Sequence, residues 1–277
     1  MTSTRPLDGQ IAWITGSSRG LGRVMARHLG RLGATVVVHG TTPTSARAFG
    51  EAESLDHVAA DVARETGSRV LAVAADLTRP TEVAAAVTRI RAELGRIDVL
   101  VNNAGGDIGL AGATAPGGGR PARNDAVGIS VEDLRAVLDR NLLSCILVCR
   151  EVAPEMMARR AGCIVTLGSV AGLSGREEGA IYATAKAAVH EYTRCLAAQL
   201  RPYNVPVNCV APGGTLTARF RATGQALDAV LEKGEALEGY GRPEDIARAV
   251  EYFVTEAGRH VTGQILRVDG GDQLWPA

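Results

Sequence analysis

IAWITGSSRGLG, residues 11–22, joins a short apolar run to a turn that holds three glycines. Gly16 permits a sharp turn, Gly20 lets the backbone approach a phosphate, and Gly22 allows a helix to pack closely. A helix that begins here offers free N–H groups and a partial positive charge to a pyrophosphate. A plain tight turn is the alternative, but the place of these glycines between a strand and a helix favours a dinucleotide site.

The same alternation of apolar runs and amphipathic segments continues along the chain. Helical patterns cover residues 20–32, 80–94 and about 131–160. The apolar runs are residues 11–15, 34–39, 69–75, 97–101, 163–168, 205–210 and 264–268. Near-continuous apolar strands separated by helices are typical of a parallel sheet that is covered on both faces. We therefore predict an α/β fold in one domain over residues 1–277, a Rossmann-type doubly wound parallel sheet of about seven strands with helices on both faces.

Composition narrows the class of protein. The 277 residues carry 30 basic and 30 acidic side chains, so the balance gives no indication of a nucleic-acid or membrane partner. No apolar run approaches a membrane span, and the first residues do not resemble a signal peptide. The five cysteines, at 145, 149, 163, 195 and 209, lack CxxC spacing and are expected to be small core residues in a reducing cytosol. We expect a cytoplasmic protein without a catalytic metal.

A tyrosine and a lysine stand four residues apart in IYATAKAAVHEY, residues 181–192. Lys186 is one of only two lysines in a chain with 28 arginines, and it follows Tyr182 by one helical turn. An ammonium about 4 Å away, at an effective dielectric constant of about 20, interacts with a phenolate by roughly 4 kcal/mol. That interaction would bring the pKa of the tyrosine towards neutrality, where acid–base catalysis is most effective. A YxxxK pair alone is also compatible with an ordinary helix surface.

Residues after the third apolar run extend the predicted cofactor site. Asp76 is placed to hold the exocyclic amine of an adenine ring, and Leu77 follows it. An aspartate that caps a helix or closes a turn is an equally good interpretation. From the glycine turn, the predicted site takes Gly16, Ser17, Ser18, Arg19, Gly20, Leu21 and Gly22.

Several motifs together resemble the short-chain dehydrogenase/reductase family over nearly the whole chain, most closely its 3-oxoacyl-acyl-carrier-protein reductases. The matching motifs are TGSSRGLG (15–22), DL (76–77), NNAG (102–105), Asn141 in RNLLS, Ser169 in LGSVAG, YATAK (182–186) and APGG (211–214). The resemblance implies an NAD(P)-dependent oxidoreductase that acts on a carbonyl/alcohol pair. It also implies a homotetramer, or at least a homodimer.

The resemblance also implies roles for individual residues. Tyr182 would be the acid or base at the substrate oxygen, and Lys186 would lower its pKa while binding the nicotinamide ribose. Ser169 would hydrogen-bond the substrate carbonyl, and Asn141, at a break in a long helix, would hold a water that relays protons to Lys186. The adenosine side would be lined by Asn103, Ala104 and Gly105, and the nicotinamide side by Pro212, Gly213, Thr215 and Thr217. Taken singly, Ser169 could be a strand-end cap, Asn141 a helix interruption and NNAG a turn.

The end of the second apolar run bears on the choice of nucleotide. An NAD-preferring site usually has an acidic residue there, which accepts the ribose hydroxyls, and this chain has Gly40. Arg19 is placed to meet a 2′-phosphate, to which Thr41 can donate a hydroxyl. We predict NADP(H) rather than NAD(H).

Two segments of this chain differ in composition from the corresponding segments in compact members of the family. Residues 107–129 form a Gly/Pro-rich insert, which could be a substrate rim, an oligomer contact or a loose loop. Residues 214–240 form the expected substrate lid. Charged side chains are predicted at the pocket rim, namely Asp107, Arg176, Glu177, Glu178, Arg219 and Arg221. Unless these side chains point to solvent, they favour a small polar substrate such as a sugar, polyol or hydroxy acid.

Other functions remain open at this point. A 3-oxoacyl thioester would be the substrate of an acyl-carrier-protein reductase. A non-catalytic NADP(H)-sensing protein would be expected to lose the tyrosine or the lysine, and both are present. An epimerase or dehydratase on the same scaffold would be expected to have a larger C-terminal region.

Overall fold

A computed structural model of the chain describes residues 5–275 and contains one seven-stranded parallel sheet. The strand order is β3-β2-β1-β4-β5-β6-β7, and all neighbouring strands are parallel. The strands are β1 (Ile11–Ile14), β2 (Thr35–Gly40), β3 (Val70–Ala74), β4 (Val99–Asn102), β5 (Cys163–Leu167), β6 (Val207–Pro212) and β7 (Ile265–Val268). All seven predicted strands are present, each with its ends within two residues of the prediction.

Helices cover both faces of the sheet, as predicted. They are α1 (Gly20–Arg31), α2 (Leu55–Thr66), α3 (Pro80–Leu94), α4 (Val131–Leu138), α5 (Ser144–Arg159), α6 (Ala180–Leu200), α7 (Ala218–Ala222), α8 (Asp228–Leu231) and α9 (Pro243–Val254). One core lies between the sheet and α3, α5 and α6, and the other lies between the sheet and α1, α2 and α9.

The strands supply both cores because successive side chains point to opposite faces. In β1, Trp13 belongs to the core beside α5, whereas Ala12 and Ile14 belong to the core beside α1. All four β1 residues are buried. This two-sided burial explains why the strands appear in the sequence as unbroken apolar runs.

The long helix predicted over residues 131–160 is interrupted. A π-helical turn, Asp139–Leu143, separates α4 from α5, and it contains Asn141. Single π-helical turns inside α-helices are rare and occur frequently at functional sites. The break that the family resemblance implied is therefore present.

Residues 107–129 contain no strand or α-helix, only a 3₁₀ turn at Pro116–Gly119. Their backbone is nevertheless folded, since Gly109 N–H donates to the carbonyl of Gly119. Leu110 N–H donates to the Asp133 carboxylate at the start of α4. The insert is a packed loop that lies against its neighbours.

The five cysteines were expected to be small core residues. Four cysteines are buried thiols, as predicted, but Cys195 is exposed on α6 and is not a core residue.

No helix within residues 5–275 combines the length and the apolar character needed to span a bilayer.

Candidate active site

The sheet order reverses between β1 and β4, and two adjoining cavities open near the carboxyl ends of the strands. In open α/β sheets ligands bind at such a switch point. The first cavity, here the glycine-turn cleft, runs from the turn at 16–22 to residues 212–217. The second, here the lid cavity, lies between the segment 169–182 and the segment 213–240. The two share Ser169, Tyr182, Gly213, Arg219, Phe220 and Gln225.

The glycine-turn cleft collects nearly all the residues predicted to bind a cofactor. Ser17 is the exception. The predicted residues that line it are Gly16, Ser18, Arg19, Gly20, Leu21, Gly22, Gly40, Thr41, Asp76, Leu77, Asn103, Ala104, Gly105, Tyr182, Lys186, Pro212, Gly213, Thr215 and Thr217. Gly16 and Gly20 have φ values of +65° and +55°, in the region that favours glycine. At Gly22 a side chain would collide with the carbonyl of Gly16. The turn thus leaves its backbone open to an extended phosphate-bearing ligand.

Ser17 supports the turn from inside and does not line the cleft. It is fully buried, and its hydroxyl donates to the Ile14 carbonyl at 2.6 Å and accepts from the His39 N–H at 2.8 Å. The His39 ring continues this support, because Nδ1 accepts from Gly16 N–H and Nε2 lies 3.0 Å from the Ala75 carbonyl. Burial lowers the pKa of His39 to about 4, so its imidazole is neutral near pH 7.

The first turn of α1 is already occupied by a side chain of the same protein. Gly20 N–H donates to both carboxylate oxygens of Glu51, at 3.1 and 3.0 Å. Glu51 also lines the cleft. A carboxylate here is stabilised by the positive end of the helix dipole, which the sequence predicted to be open for a pyrophosphate. Sequence reasoning missed Glu51 because it lies 31 residues away, in the loop before α2.

Arg19 lies at the mouth of the cleft. Its Nη1 donates to the Ser45 carbonyl at 2.6 Å, and its guanidinium lies 5.6 Å from the centre of the Phe49 ring. Burial lowers the pKa of Arg19, an effect that the Glu51 charge opposes. The segment after β2 therefore fixes the direction of this cation.

Arg140 is a second cation of the cleft, which the sequence analysis did not select. Its Nε is buried without a hydrogen-bond partner in the described residues, and burial lowers its pKa. Its position next to Asn141 is the only sequence signal that could have identified it.

Both interpretations of Asp76 fit the structure. Its Oδ1 accepts from the N–H of Thr78 at 3.0 Å and from the Thr78 hydroxyl at 2.7 Å, so it closes the turn after β3. The same residue lines the glycine-turn cleft.

Tyr182 lies in the first turn of α6 and forms part of the wall shared by the two cavities. Within residues 5–275 its hydroxyl has no hydrogen-bond partner, and it is not buried away from solvent. Lys186 is buried, donates from Nζ to the Leu167 carbonyl at 2.8 Å, and lies 5.7 Å from the centre of the Tyr182 ring. The pair thus holds a desolvated positive charge beside a phenol that is free to bind a ligand.

Ser169 is held at the end of β5. Its hydroxyl accepts from Ala171 N–H at 3.1 Å, and its own N–H donates to Nε2 of His190 at 3.4 Å. Burial, and then the charge of Lys186, lowers the pKa of His190 to about 4. A neutral imidazole can accept this bond, whereas an imidazolium could not. Ser169 thus caps the 3₁₀ turn Val170–Leu173 that follows β5, and it also lines both cavities.

Asn141 connects the π-helical turn to the loop after β4. Its Oδ1 accepts from Gly106 N–H at 2.8 Å, and its Nδ2 donates to the carbonyls of Gly106 and Val137, both at 2.8 Å. Both amide hydrogens are therefore used by the backbone. Asn141 is buried and does not line either cavity, so its role in a proton relay stays a prediction.

Part of the charged rim of the lid cavity is a network of paired groups, centred on Arg120. Arg120 Nε lies 3.3 Å from the Asp107 carboxylate, and Arg120 Nη2 lies 3.0 Å from Glu178. Asn124 Nδ2 donates to the same Asp107 carboxylate at 2.6 Å. Of the six charged residues predicted at the rim, Asp107, Arg176, Glu178 and Arg219 line the cavity, whereas Glu177 and Arg221 do not.

The opposite wall of the lid cavity is largely apolar. Its apolar residues are Phe220, Leu227, Val230, Leu237 and Tyr240, and the cavity is also lined by Gln225, Glu238, Asp269 and Asp272. Phe220 and Tyr240 meet edge to face, with their ring centres 5.0 Å apart. One wall therefore suits oxygen-bearing groups and the other suits a hydrocarbon.

Comparisons with known proteins agree with this arrangement. The family model described as short chain dehydrogenase matches residues 10–228. The cyclohexanol dehydrogenase of Rhodococcus sp. (strain TK6) is 40% identical over 276 residues, which cover 98% of each chain. The 3-oxoacyl-[acyl-carrier-protein] reductase of Chlamydia muridarum is 32% identical over 267 residues, covering 96% of this chain and 98% of that one.

A solved structure supports the same likeness. The structure of 7α-hydroxysteroid dehydrogenase with NADH and 7-oxo glycochenodeoxycholic acid has a TM-score of 0.81 and 30% identity. The match covers 98% of this chain and 97% of that one.

Proposed function

Because the chain belongs to the short-chain dehydrogenase/reductase family, whose enzymes act on CH–OH and C=O groups, we propose that it transfers hydride between NADP(H) and a small ketone or secondary alcohol that carries polar groups. The observation that carries this proposal is the Tyr182 hydroxyl, which has no partner among the described residues and lies in the wall shared by the two cavities. The glycine-turn cleft suits the nucleotide, and the lid cavity suits the substrate.

The nicotinamide supplies the hydride chemistry, and the side chains supply the proton and the geometry. In the direction of reduction, the Tyr182 hydroxyl gives its proton to the substrate oxygen, and the Ser169 hydroxyl donates a hydrogen bond to the same oxygen. The Lys186 ammonium, fixed on the Leu167 carbonyl, stabilises the phenolate that remains. Oxidation of an alcohol uses the same groups in reverse.

Replacement of the catalytic hydroxyl tests the proposal directly. Tyr182→Phe should reduce kcat to below a tenth of the wild-type value and leave cofactor affinity within a few-fold, because the hydroxyl acts on the substrate. Lys186→Ala should impair both, because the ammonium also reaches the nicotinamide ribose. Tyr203→Phe, on a half-exposed tyrosine outside both cavities, is the matched control. A Tyr182→Phe enzyme with more than a tenth of wild-type kcat would refute the assignment.

The nucleotide preference is argued from the end of β2. Gly40 ends the strand, so no carboxylate stands there to accept ribose hydroxyls, while Arg19 and Thr41 line the same part of the cleft. The similar hydroxysteroid dehydrogenase structure contains NADH, so the preference proposed for NADP(H) rests on residues of this chain alone.

Two substitutions test this preference. Arg19→Gln should raise KM for NADPH about tenfold or more and change KM for NADH little, because only NADPH carries the 2′-phosphate. Gly40→Asp should reverse the preference, but its Cβ would lie 3.1 Å from Ser45 Cβ, so we suggest Gly40→Asp combined with Ser45→Gly. A wild-type kcat/KM that favours NADH would contradict the proposal.

The substrate is argued from the two walls of the lid cavity. A small ring or chain can pack on Phe220 and Leu227, while its hydroxyl or carboxyl oxygens face the wall of Asp107 and Arg120. A long acyl thioester is the competing substrate, because the chain is similar to an acyl-carrier-protein reductase.

A comparison of substrates with NADPH separates the two. Oxidised sugars and cyclohexanone should be reduced faster than an acetoacetyl thioester. Faster reduction of the thioester would favour the acyl reductase, and binding of NADPH without turnover of any carbonyl compound would favour a cofactor-sensing protein.

A further inference from the structure

Arg219 lies at the boundary between the two cavities and is one of the six residues that line both. It belongs to the short helix α7 of the lid. Its Nε donates to the Gly118 carbonyl at 3.0 Å, and its Nη2 donates to the Asp107 carbonyl at 2.5 Å. The insert therefore fixes the plane of the guanidinium.

The third nitrogen of this guanidinium is not used. Within residues 5–275, Arg219 Nη1 donates no hydrogen bond, and it is absent from the buried atoms that lack a partner, so it remains accessible. A Cβ built on Gly106 would lie 3.5 Å from Nη1, which places this nitrogen beside the loop after β4. A hydrogen-bond donor thus remains open in the wall that also holds Tyr182.

The charge of Arg219 is compensated only in part, because burial lowers the pKa of Arg219 and the Asp107 carboxylate opposes this effect without forming an ion pair. The two hydrogen bonds of Arg219 go to neutral carbonyls, and in the described part of the chain it forms no ion pair with a carboxylate. Arg120, in the same rim, is paired with both Asp107 and Glu178. A largely buried cation is costly unless an anion compensates it. A ligand with an anionic group would supply a direct ion pair.

The nucleotide and the substrate would meet at the boundary between the two cavities. The positions of the cations indicate which of these two ligands each cation binds. The phosphate groups of a dinucleotide already have Arg19 and Arg140 along the glycine-turn cleft, and neither of these residues lines the lid cavity. Arg219 faces the lid cavity as well and shares its wall with Tyr182 and Ser169. A group that Arg219 binds in the lid cavity would belong to the substrate, whose carbonyl lies at Tyr182.

We propose that Arg219 binds a carboxylate of the substrate, and that the enzyme acts on oxo acids and the corresponding hydroxy acids. This inference rests on the proposed function and narrows its substrate class. Because only Nη1 is free, one carboxylate oxygen receives the hydrogen bond. The apolar carbon skeleton between the carboxylate and the carbonyl packs on Phe220, which lines both cavities.

The test compares ketones that differ only in charge. Wild-type enzyme with NADPH is assayed on 2-, 3- and 4-oxocyclohexanecarboxylate, on the matching carboxamides and on cyclohexanone. For the best isomer, kcat/KM should be about tenfold higher for the carboxylate than for its carboxamide, a difference of about 1.4 kcal/mol, because a hydrogen bond to a charged group is stronger than one to a neutral group. Arg219→Gln should bring this ratio to about one.

Arg221→Gln is the matched control, because Arg221 lies on the same helix but lines neither cavity. It should keep the wild-type ratio. If Arg219→Gln weakens the fold, competition in wild-type enzyme decides, since cyclohexanecarboxylate should inhibit at about tenfold lower concentration than cyclohexanecarboxamide. Calorimetry of these two compounds with the NADP⁺-loaded wild-type enzyme measures the same difference in affinity without turnover.

Three results would overturn the inference. These are a wild-type enzyme without preference for the carboxylate in turnover or binding, an Arg219→Gln enzyme that keeps the preference, and an Arg219→Gln enzyme in which only KM for NADPH rises. The last result would assign Arg219 to a cofactor phosphate. Reduction of cyclohexanone without a carboxylate effect would leave the proposed function intact, whereas Tyr182→Phe should abolish reduction of every ketone in the panel.

Discussion

Two buried imidazoles hold the backbone on either side of the candidate active site. His39 connects the glycine turn to the end of β3, and His190 accepts the N–H of Ser169. Both residues are only 2% exposed. The Asp76 carboxylate offsets the effect of burial on His39 only in part, and the nearby charges of Lys186 and Arg194 disfavour a positive charge on His190. The fold therefore depends on keeping both rings neutral.

This dependence predicts a loss of stability in mild acid. The pKa of each ring falls from an ordinary value of 6.5 to about 4 in the folded chain. Between these pH values the unfolded chain binds more protons, so the free energy of unfolding should decrease as pH falls from about 6.5 to 4. The loss for each ring is on the order of a few kcal/mol.

Urea unfolding at pH 7.5, 6.0 and 5.0 would measure this loss. His39→Asn, whose amide can both donate and accept, should reduce the pH dependence, and His260→Asn on an exposed histidine should not. A free energy of unfolding that is constant from pH 7.5 to 5.0 would show that the rings titrate normally.

Sequence motifs predicted individual residues well where the chemistry demands one residue type. Tyr182 and Lys186 lie on α6 and Ser169 lies just after β5, and all three line the glycine-turn cleft. Glu51 and Arg140 were missed, because an acidic or basic residue in a loop or helix is usually a solvated side chain. Only the folded chain shows that these two face the cleft.

The contact between Glu51 and the first turn of α1 has a measurable consequence for cofactor binding. A carboxylate at Gly20 N–H occupies the positive helix end that a phosphate would use, so it must move when the nucleotide binds. Glu51→Gln should therefore lower KM for NADPH several-fold, because a neutral amide competes less well and does not repel the phosphates.

Glu53→Gln is the control, since Glu53 lies on the same loop with its side chain 80% exposed. Initial rates at varied NADPH concentration give both KM values. An unchanged or higher KM for Glu51→Gln would show that Glu51 supports the nucleotide site.

The π-helical turn at Asp139–Leu143 shows a limit of pattern reading. The sequence around Asn141 keeps a helical pattern of apolar residues, so periodicity predicts one long helix over residues 131–160. The extra residue in the turn is accommodated because Asn141 bonds Gly106, which belongs to a distant part of the chain. Local propensity contains no information about such a bond, and here only the family resemblance indicated the break.

At the level of the whole molecule, the sheet and its two helical layers followed from the sequence with little error. Buried parallel strands leave a strong signal, because seven apolar runs alternate with amphipathic segments. The packing of residues 107–129 could not be predicted, since it depends on Arg120 meeting Glu178 and on Arg219 meeting Asp107, partners that lie far apart along the chain.

We predict a homotetramer, or at least a homodimer, in solution. The segments 142–149 and 187–200 are rich in apolar residues, but most of their large apolar side chains are buried within the chain, and Leu143 is 39% exposed. Other exposed apolar side chains are Tyr252 on α9 and Leu266 on the edge strand β7.

Sedimentation equilibrium at micromolar concentration should give about four times, or at least twice, the mass of the 28.8 kDa chain. Leu143→Glu should shift the protein towards smaller species if α5 contributes to the interface. A wild-type protein that sediments as a monomer would contradict the prediction.

The two hydrogen bonds that join Arg219 to the insert have a consequence for loop grafting. An engineer who transplants residues 107–129 from a relative would remove the carbonyl groups that hold the guanidinium, and one who transplants residues 214–240 would remove the guanidinium itself. Either graft alone leaves half of a contact. The two segments should therefore be exchanged together, and both should be taken from the same donor protein when a new specificity is designed.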